Sequence, residues 1–233
     1  ELGNKRQMAT SYNGIGVIHR TQDNVVLALE YYEKSLKISE EIDDKKGMAL
    51  AYTNIGACHK HTNNIVIALD YFGKSLEIYE DIRYKKGMAT TYNSIGDIHR
   101  NQDSVVLALE YYEKSLKSYK EIRDKDGMST AYHNIALIAF DKGEVAGPEG
   151  ALALATKSLV LSKEIGYPRN IKDASGLLYS IYSKQGNFEK ALEMRNLQIE
   201  MRDSLASEEN IKATANQKAQ YEYEKQKALD DKD

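Results

Sequence analysis

The sequence predicts an all-α fold, a solenoid of antiparallel helical hairpins that ends in an extended C-terminal helix. Three observations predict it. Residues repeat with a period of forty, each copy carries two apolar stripes at helical spacing, and helix breakers are nearly absent. Met8, Met48, Met88 and Met128 keep the period, as do Tyr12, Tyr52, Tyr92 and Tyr132. Gly16, Gly56 and Gly96 follow it, with Ala136 next, and Ala28, Ala68 and Ala108 do the same. Residues 7–46 and 87–126 are identical at 29 of 40 positions, which means duplication. The only prolines are Pro148 and Pro168.

Each copy reads as two helices. Met8, Tyr12, Ile15, Gly16 and His19 form the first stripe. Thr21-Gln22-Asp23-Asn24 interrupts it with residue types that cap helices. Val25, Leu27-Ala28-Leu29, Tyr32, Leu36 and Ile42 form the second stripe, and Asp43-Asp44-Lys45-Lys46 turns the chain toward Gly47. Such short connections force antiparallel neighbours. A hairpin of this kind is stable only when stacked on the next.

The expected organisation is a solenoid over 1–205 and a charged helical linker over 206–233. Residues 1–6 align with 41–46 as the tail of a truncated repeat, and with Glu1 at the start in place of Met they predict a piece of a longer array. Copies follow at about 7–46, 47–86, 87–126, 127–169 and 170–205. The fourth is lengthened by three residues around Gly147-Pro148. The fifth has Ser175 where others have Tyr and Tyr179 where others have Gly, and is expected to act as a cap. Past Leu205 the large apolar residues are Ile211, Tyr221, Tyr223 and Leu229, with no sustained heptad.

Composition excludes several functions. The 233 residues hold 32 Lys+Arg against 35 Asp+Glu, a net charge of −3 that argues against a nucleic-acid partner. The lone Cys58 can form neither an internal disulfide nor a CxxC metal site. No apolar run approaches the roughly 20 residues of a membrane span. Gly143 to Gly150 lacks the Lys-Ser/Thr ending of a phosphate-binding loop and reads as a hairpin loop. No nucleophile, base and orienting residue assemble, so no catalytic residue, metal or cofactor is predicted. His19, His59 and His99 sit one hairpin apart, about 10 Å, whereas metal ligands must meet within about 2 Å of one ion. Packing is the first reading of these histidines, metal binding or pH sensing the second. The Tyr12 and Tyr32 series read as core residues rather than a platform for bases.

Tyr12-x2-Ile15-Gly16-x2-His19, followed by Ala28-x3-Tyr32, resembles the tetratricopeptide signature. Gly16 to Ala28 spans twelve residues, as in that family, whereas the forty-residue period alone also fits HEAT or armadillo repeats. The long variant resembles repeats of G-protein-signalling modulators and of bacterial peptide-sensing regulators. The resemblance implies a right-handed superhelical solenoid that binds a peptide or protein segment on its concave side. Carried over position by position, the implied groove residues are Asn13 and Arg20, Asn54 and Lys60, Asn93 and Arg100, then His133 and Asn134. Val17, Ala57, Asp97 and Leu137 lie among them. Arg20, Lys60 and Arg100 form a basic row suited to an acidic ligand. The competing reading is an ordinary solvated inner face. The family's clamp for chaperone C-termini, basic pairs one turn apart, is absent: the pairs here are Thr10/Gly14, Leu50/Asn54, Thr90/Ser94 and Thr130/Asn134.

The run Met201-Arg202-Asp203-Ser204-Leu205, with Glu208-Glu209 and Tyr221-Glu222-Tyr223-Glu224-Lys225, is similar to the linker of bacterial tetratricopeptide signalling proteins. Those place the repeats before a histidine kinase, phosphatase, nucleotide cyclase or DNA-binding regulator. The implied role is the non-enzymatic sensory or interaction part of such a protein, periplasm-facing if a membrane span follows and cytoplasmic otherwise. The alternative is a structural scaffold or self-association module that pairs through its exposed N-terminal hairpin face.

Overall fold

The structure, a computed structural model, describes residues 2–145, 147 and 149–230, with the backbone alone for 210 and 212–230. Glu1 and Pro148 lie outside the described residues, as do the side chains of Tyr221, Tyr223 and Leu229. The described residues are helical and contain no strand. Two compact units divide the chain, residues 1–138 and 139–233.

The first unit holds α1 (Leu2–Thr21), α2 (Val25–Glu41), α3 (Lys45–His61), α4 (Ile65–Asp81), α5 (Lys85–Asn101), α6 (Val105–Glu121) and most of α7 (Lys125–Asp141). α2 and α4 each pack on the odd helix before and the odd helix after, α6 packs on α5, and Ile135 and Ile138 of α7 join Ala108 and Tyr112 of α6 in one core. Gly16, Gly56 and Gly96 make the contact with the preceding odd helix close. A Cβ on Gly96 would lie 2.7 Å from Tyr112 Cδ1, and one on Gly16 would lie 2.6 Å from Tyr32 Cε1. The small residue lets the aromatic ring lie flat against the odd helix, which explains the Gly–Tyr spacing of the repeat. Three successive cores result: Ala28, Tyr32, Ile55 and Cys58; then Ala68, Phe72, Ile95 and Ile98; then Ala108, Tyr112 and Ile138.

Two turn types alternate. Asp23, Asn63 and Asp103 stop the odd helices in the left-handed conformation, with φ near 60° (63°, 60° and 56°). The interruption at 21–24 falls where expected, but Asn24, Asn64 and Ser104 make no side-chain cap bond. The turn is closed by backbone instead: the Asn24 amide donates to the His19 carbonyl at 2.9 Å. Real caps occur at the other turn, where Asp44 and Asp124 each accept from the amide three residues on, at 3.2 Å. Ion pairs Lys5–Glu41, Lys45–Asp81 and Lys85–Glu121 join the open ends of the three hairpins.

Buried hydroxyls cross the packing. Ser35 Oγ donates to the Ala9 carbonyl at 2.8 Å and Ser75 Oγ to the Ala49 carbonyl at 3.0 Å. Residues 2–4 are helical, although the equivalent residues 42–44 form a turn. That turn depends on carbonyls at the end of a preceding helix, such as Ser39 for the Asp44 amide, and α1 has no such helix before it among the described residues.

The second unit contains the end of α7 with α8 (Ala151–Ile165), α9 (Pro168–Lys184) and α10 (Phe188–Asp230). Pro168 opens α9 where its missing amide costs nothing, and Gly166 ends α8 at φ 69°. α9 packs on both α8 and α10. α10 runs without a break through residues 205–206, so the second helix of the fifth copy and the expected linker are one helix.

Candidate functional site

In the first unit α1 touches α3 and α3 touches α5, whereas α2, α4 and α6 do not touch one another. Odd helices therefore lie on the inside of the bend and even helices on the outside. All eight expected groove residues sit on odd helices: Asn13 and Arg20 on α1, Asn54 and Lys60 on α3, Asn93 and Arg100 on α5, His133 and Asn134 on α7.

These residues are bonded across hairpins. Asn54 Nδ2 donates to Asn13 Oδ1 at 2.7 Å, and Asn134 Nδ2 donates to Asn93 Oδ1 at 3.0 Å. Within the first pair, the Asn13 amide group and the Asn54 oxygen make no bond to another described residue. One pair thus offers both a donor and an acceptor, the two groups a peptide backbone needs.

The basic row is interrupted at its centre. Lys60 Nζ pairs with Asp97 Oδ2 at 2.9 Å, and the Tyr112 hydroxyl donates to Asp97 Oδ1 at 2.9 Å. Burial, then the Asp97 charge, pushes the Tyr112 hydroxyl far above the ordinary tyrosine range. Arg100 Nε beside this cluster is buried without an acceptor among the described residues. Arg20 is exposed, and its charge partly offsets the upward push that burial gives Tyr32. Free positive charge on the inner face therefore concentrates at Arg20 and Arg100. Asp97 falls among the expected groove positions, and its pairing with a lysine 37 residues earlier depends on the offset between hairpins.

The histidines pack. His19, His59 and His99 stack on Tyr31, Tyr71 and Tyr111 with ring centroids 5.4, 5.7 and 5.5 Å apart. Tyr12, Tyr52 and Tyr92 tilt against the same tyrosines. These three are half-buried members of an aromatic cluster rather than core residues, while Tyr32 and Tyr112 are fully buried. Lys34, Lys74 and Lys114 cover the Tyr31, Tyr71 and Tyr111 rings at 4.9, 5.0 and 5.0 Å. Cys58 is fully buried, and burial pushes its thiol up, away from the reactive thiolate. Among the described residues no three His, Cys, Asp or Glu gather as a metal site, and no helix is long and apolar enough to cross a membrane.

Hairpins stacked by small-residue crossings, with odd helices inside, define a helical-hairpin solenoid of the repeat-protein class. Residues 7–81 and 88–126 match family models described as tetratricopeptide repeat. Over these residues, just under half of the chain, the sequence is similar to tetratricopeptide repeats. No curated protein matches the chain. Among solved structures, BtubC (BKLC) from P. vanneervenii is 13% identical with a TM-score of 0.68, over 88% of this chain and 91% of that one. Aspartyl phosphate phosphatase F from Bacillus subtilis is 14% identical with a TM-score of 0.72, over 87% of this chain and 52% of that one. NprR in complex with its cognate peptide NprX is 20% identical with a TM-score of 0.65, over 90% of this chain and 59% of that one. The chain thus spans little more than half the length of the latter two. At these identities the likeness is one of fold.

Proposed function

We propose that the chain is a non-enzymatic interaction module that binds a peptide or protein segment along the inner face of its odd helices. Asn13, Asn54 and Asn93 hold the segment's backbone, the buried Asn134 fixes Asn93 from behind, and Arg20 and Arg100 attract its acidic groups. The observation that carries this reading is the Asn13–Asn54 bond, which leaves one amide group and one oxygen for a ligand. NprR, similar in fold, is seen with its cognate peptide, which supports a peptide as the ligand class. The module is the sensory or interaction part of a larger bacterial signalling protein, with α10 carrying the signal onward.

The test is selection from a displayed peptide library. Peptides enriched on the wild-type chain should lose binding to a variant with Asn54→Ala, Arg100→Ala and Asn134→Ala. Equal retention on that variant would remove the groove from the reading.

A specific observation favours self-association as a second reading. Ile18 is 55% exposed, while its repeat equivalents Cys58, Ile98 and Ile138 are at most 3% exposed because a preceding hairpin covers them. The uncovered face of α1 would pair with another apolar hairpin face. Light scattering separates the readings: a dimer abolished by Ile18→Asp supports pairing, and a wild-type monomer at high concentration ends it.

A further inference from the structure

A second type of concavity lies away from the groove residues. It opens where the start of an odd helix meets the end of its even partner, and it recurs one repeat apart. In the second hairpin the cleft holds about 520 Å³ and in the third about 560 Å³. Both sizes suit a small ligand or a few side chains. The two share a frame: Met48 and Tyr52 line one, Met88 and Tyr92 the other.

Their charges are opposite. Asp43 and Glu77 line the second cleft, and the same repeat positions in the third are Arg83 and Lys117. The second cleft sets Lys45 and Lys74 against Asp43, Glu77 and Asp81. The third sets Arg83, Lys85, Lys114 and Lys117 against Glu80 and Glu121. Lys85 is paired with Glu121 and Lys114 with Glu110, and Glu80 accepts from the Tyr92 hydroxyl. Arg83 and Lys117 are exposed and form no ion pair with a described residue. The first copy has Lys37 but carries Gly3 where Arg83 stands. The pair of cations outside any ion pair thus belongs to the third cleft among these three copies, with the Lys117 charge also felt by Glu121.

We propose that the third cleft is a second binding site, which takes carboxylate side chains of an acidic protein segment. Arg83 and Lys117 meet the carboxylates, while Met88 and Tyr92 receive the methylenes that carry them. A bare inorganic anion would leave that apolar floor uncovered. The second cleft has the same shape and rejects the same ligand by charge.

Calorimetric titration of the full chain with hexaglutamate, and separately with inorganic phosphate, tests this at low salt. Hexaglutamate should bind the wild type, and Arg83→Asp with Lys117→Glu should weaken it about tenfold or more through like-charge repulsion. Asp43→Arg with Glu77→Lys should add a second equivalent of bound hexaglutamate, since Arg83 shows that the turn accepts arginine at φ 53°. In the groove variant with Asn54→Ala, Arg100→Ala and Asn134→Ala, the hexaglutamate binding that remains should be weakened by the Arg83/Lys117 change to the same degree as in the wild type. Helical circular dichroism confirms that each variant is folded. No hexaglutamate binding, binding indifferent to the Arg83/Lys117 change, binding lost only in the groove variant, or binding of phosphate alone would each overturn the proposal.

Discussion

Asn54 reaches across one hairpin to Asn13, its Nδ2 2.7 Å from the Asn13 oxygen, and Asn134 does the same to Asn93 one double repeat later. These bonds tie odd helices together where they also face the inside of the bend. They serve packing, and in the proposed function the same side chains meet the ligand. Asn54→Ala should therefore cost stability as well as binding, about 0.5–1.5 kcal/mol for one neutral hydrogen bond. Urea unfolding checks it, and no change in midpoint would show that the bond contributes nothing.

The Gly96–Tyr112 approach predicts a larger effect. Gly96→Ala places a methyl 2.7 Å from the Tyr112 ring, which is fully buried and has no free space to enter. Overpacking of this kind costs about 1–3 kcal/mol. Thermal unfolding of Gly96→Ala, with exposed Gly73→Ala as the control, should show a loss in the first variant only, since nothing lies within 4 Å of a Cβ at Gly73.

The turn residue Arg123 sits at φ 55°, a conformation taken by glycine at Gly143, Gly166 and Gly186. Arg123→Gly should stabilise the fold by about 0.5–1 kcal/mol, because only glycine adopts this backbone without a Cβ clash. A higher urea midpoint is expected, and a lower one would mean that the arginine side chain makes a compensating contact.

Burial raises the hydroxyls of Tyr32, Tyr79, Tyr112 and Tyr119 above the usual tyrosine range. In the unfolded chain they ionise near about pH 10. Their contribution is complete below that pH. As pH rises beyond it, the unfolded chain holds fewer protons than the folded one, and stability falls toward the folded values. Tyrosinate absorbance should rise together with loss of helical signal. Tyr112→Phe should make the alkaline transition shallower. Tyrosinate forming while the helix stays intact would contradict the burial.

Much of the fold was legible because the repeat marks packing positions. Gly16, Tyr32 and Ala28 recur where the helices cross, and the 21–24 interruption marks the α1–α2 turn. What closes that turn was not legible: residue type suggested side-chain caps at Asn24, while the left-handed backbone at Asp23 satisfies the amides without one. The eight residues proposed for the groove all lie on odd helices, because helical periodicity fixes a face. Their bonding was not visible, since Lys60–Asp97 and Asn13–Asn54 depend on the offset between neighbouring hairpins. The third cleft left a trace in the sequence, the reversal from Asp43 to Arg83 and Glu77 to Lys117 between near-copies.

Recognition on the inner face is tested most directly by nuclear magnetic resonance of the asparagine side-chain amides during titration with a library-selected peptide. Shifts centred on Asn13, Asn54, Asn93 and Asn134, with even-helix signals unmoved, are the expected result. Shifts confined to even helices, or to α10, would place binding elsewhere and contradict it.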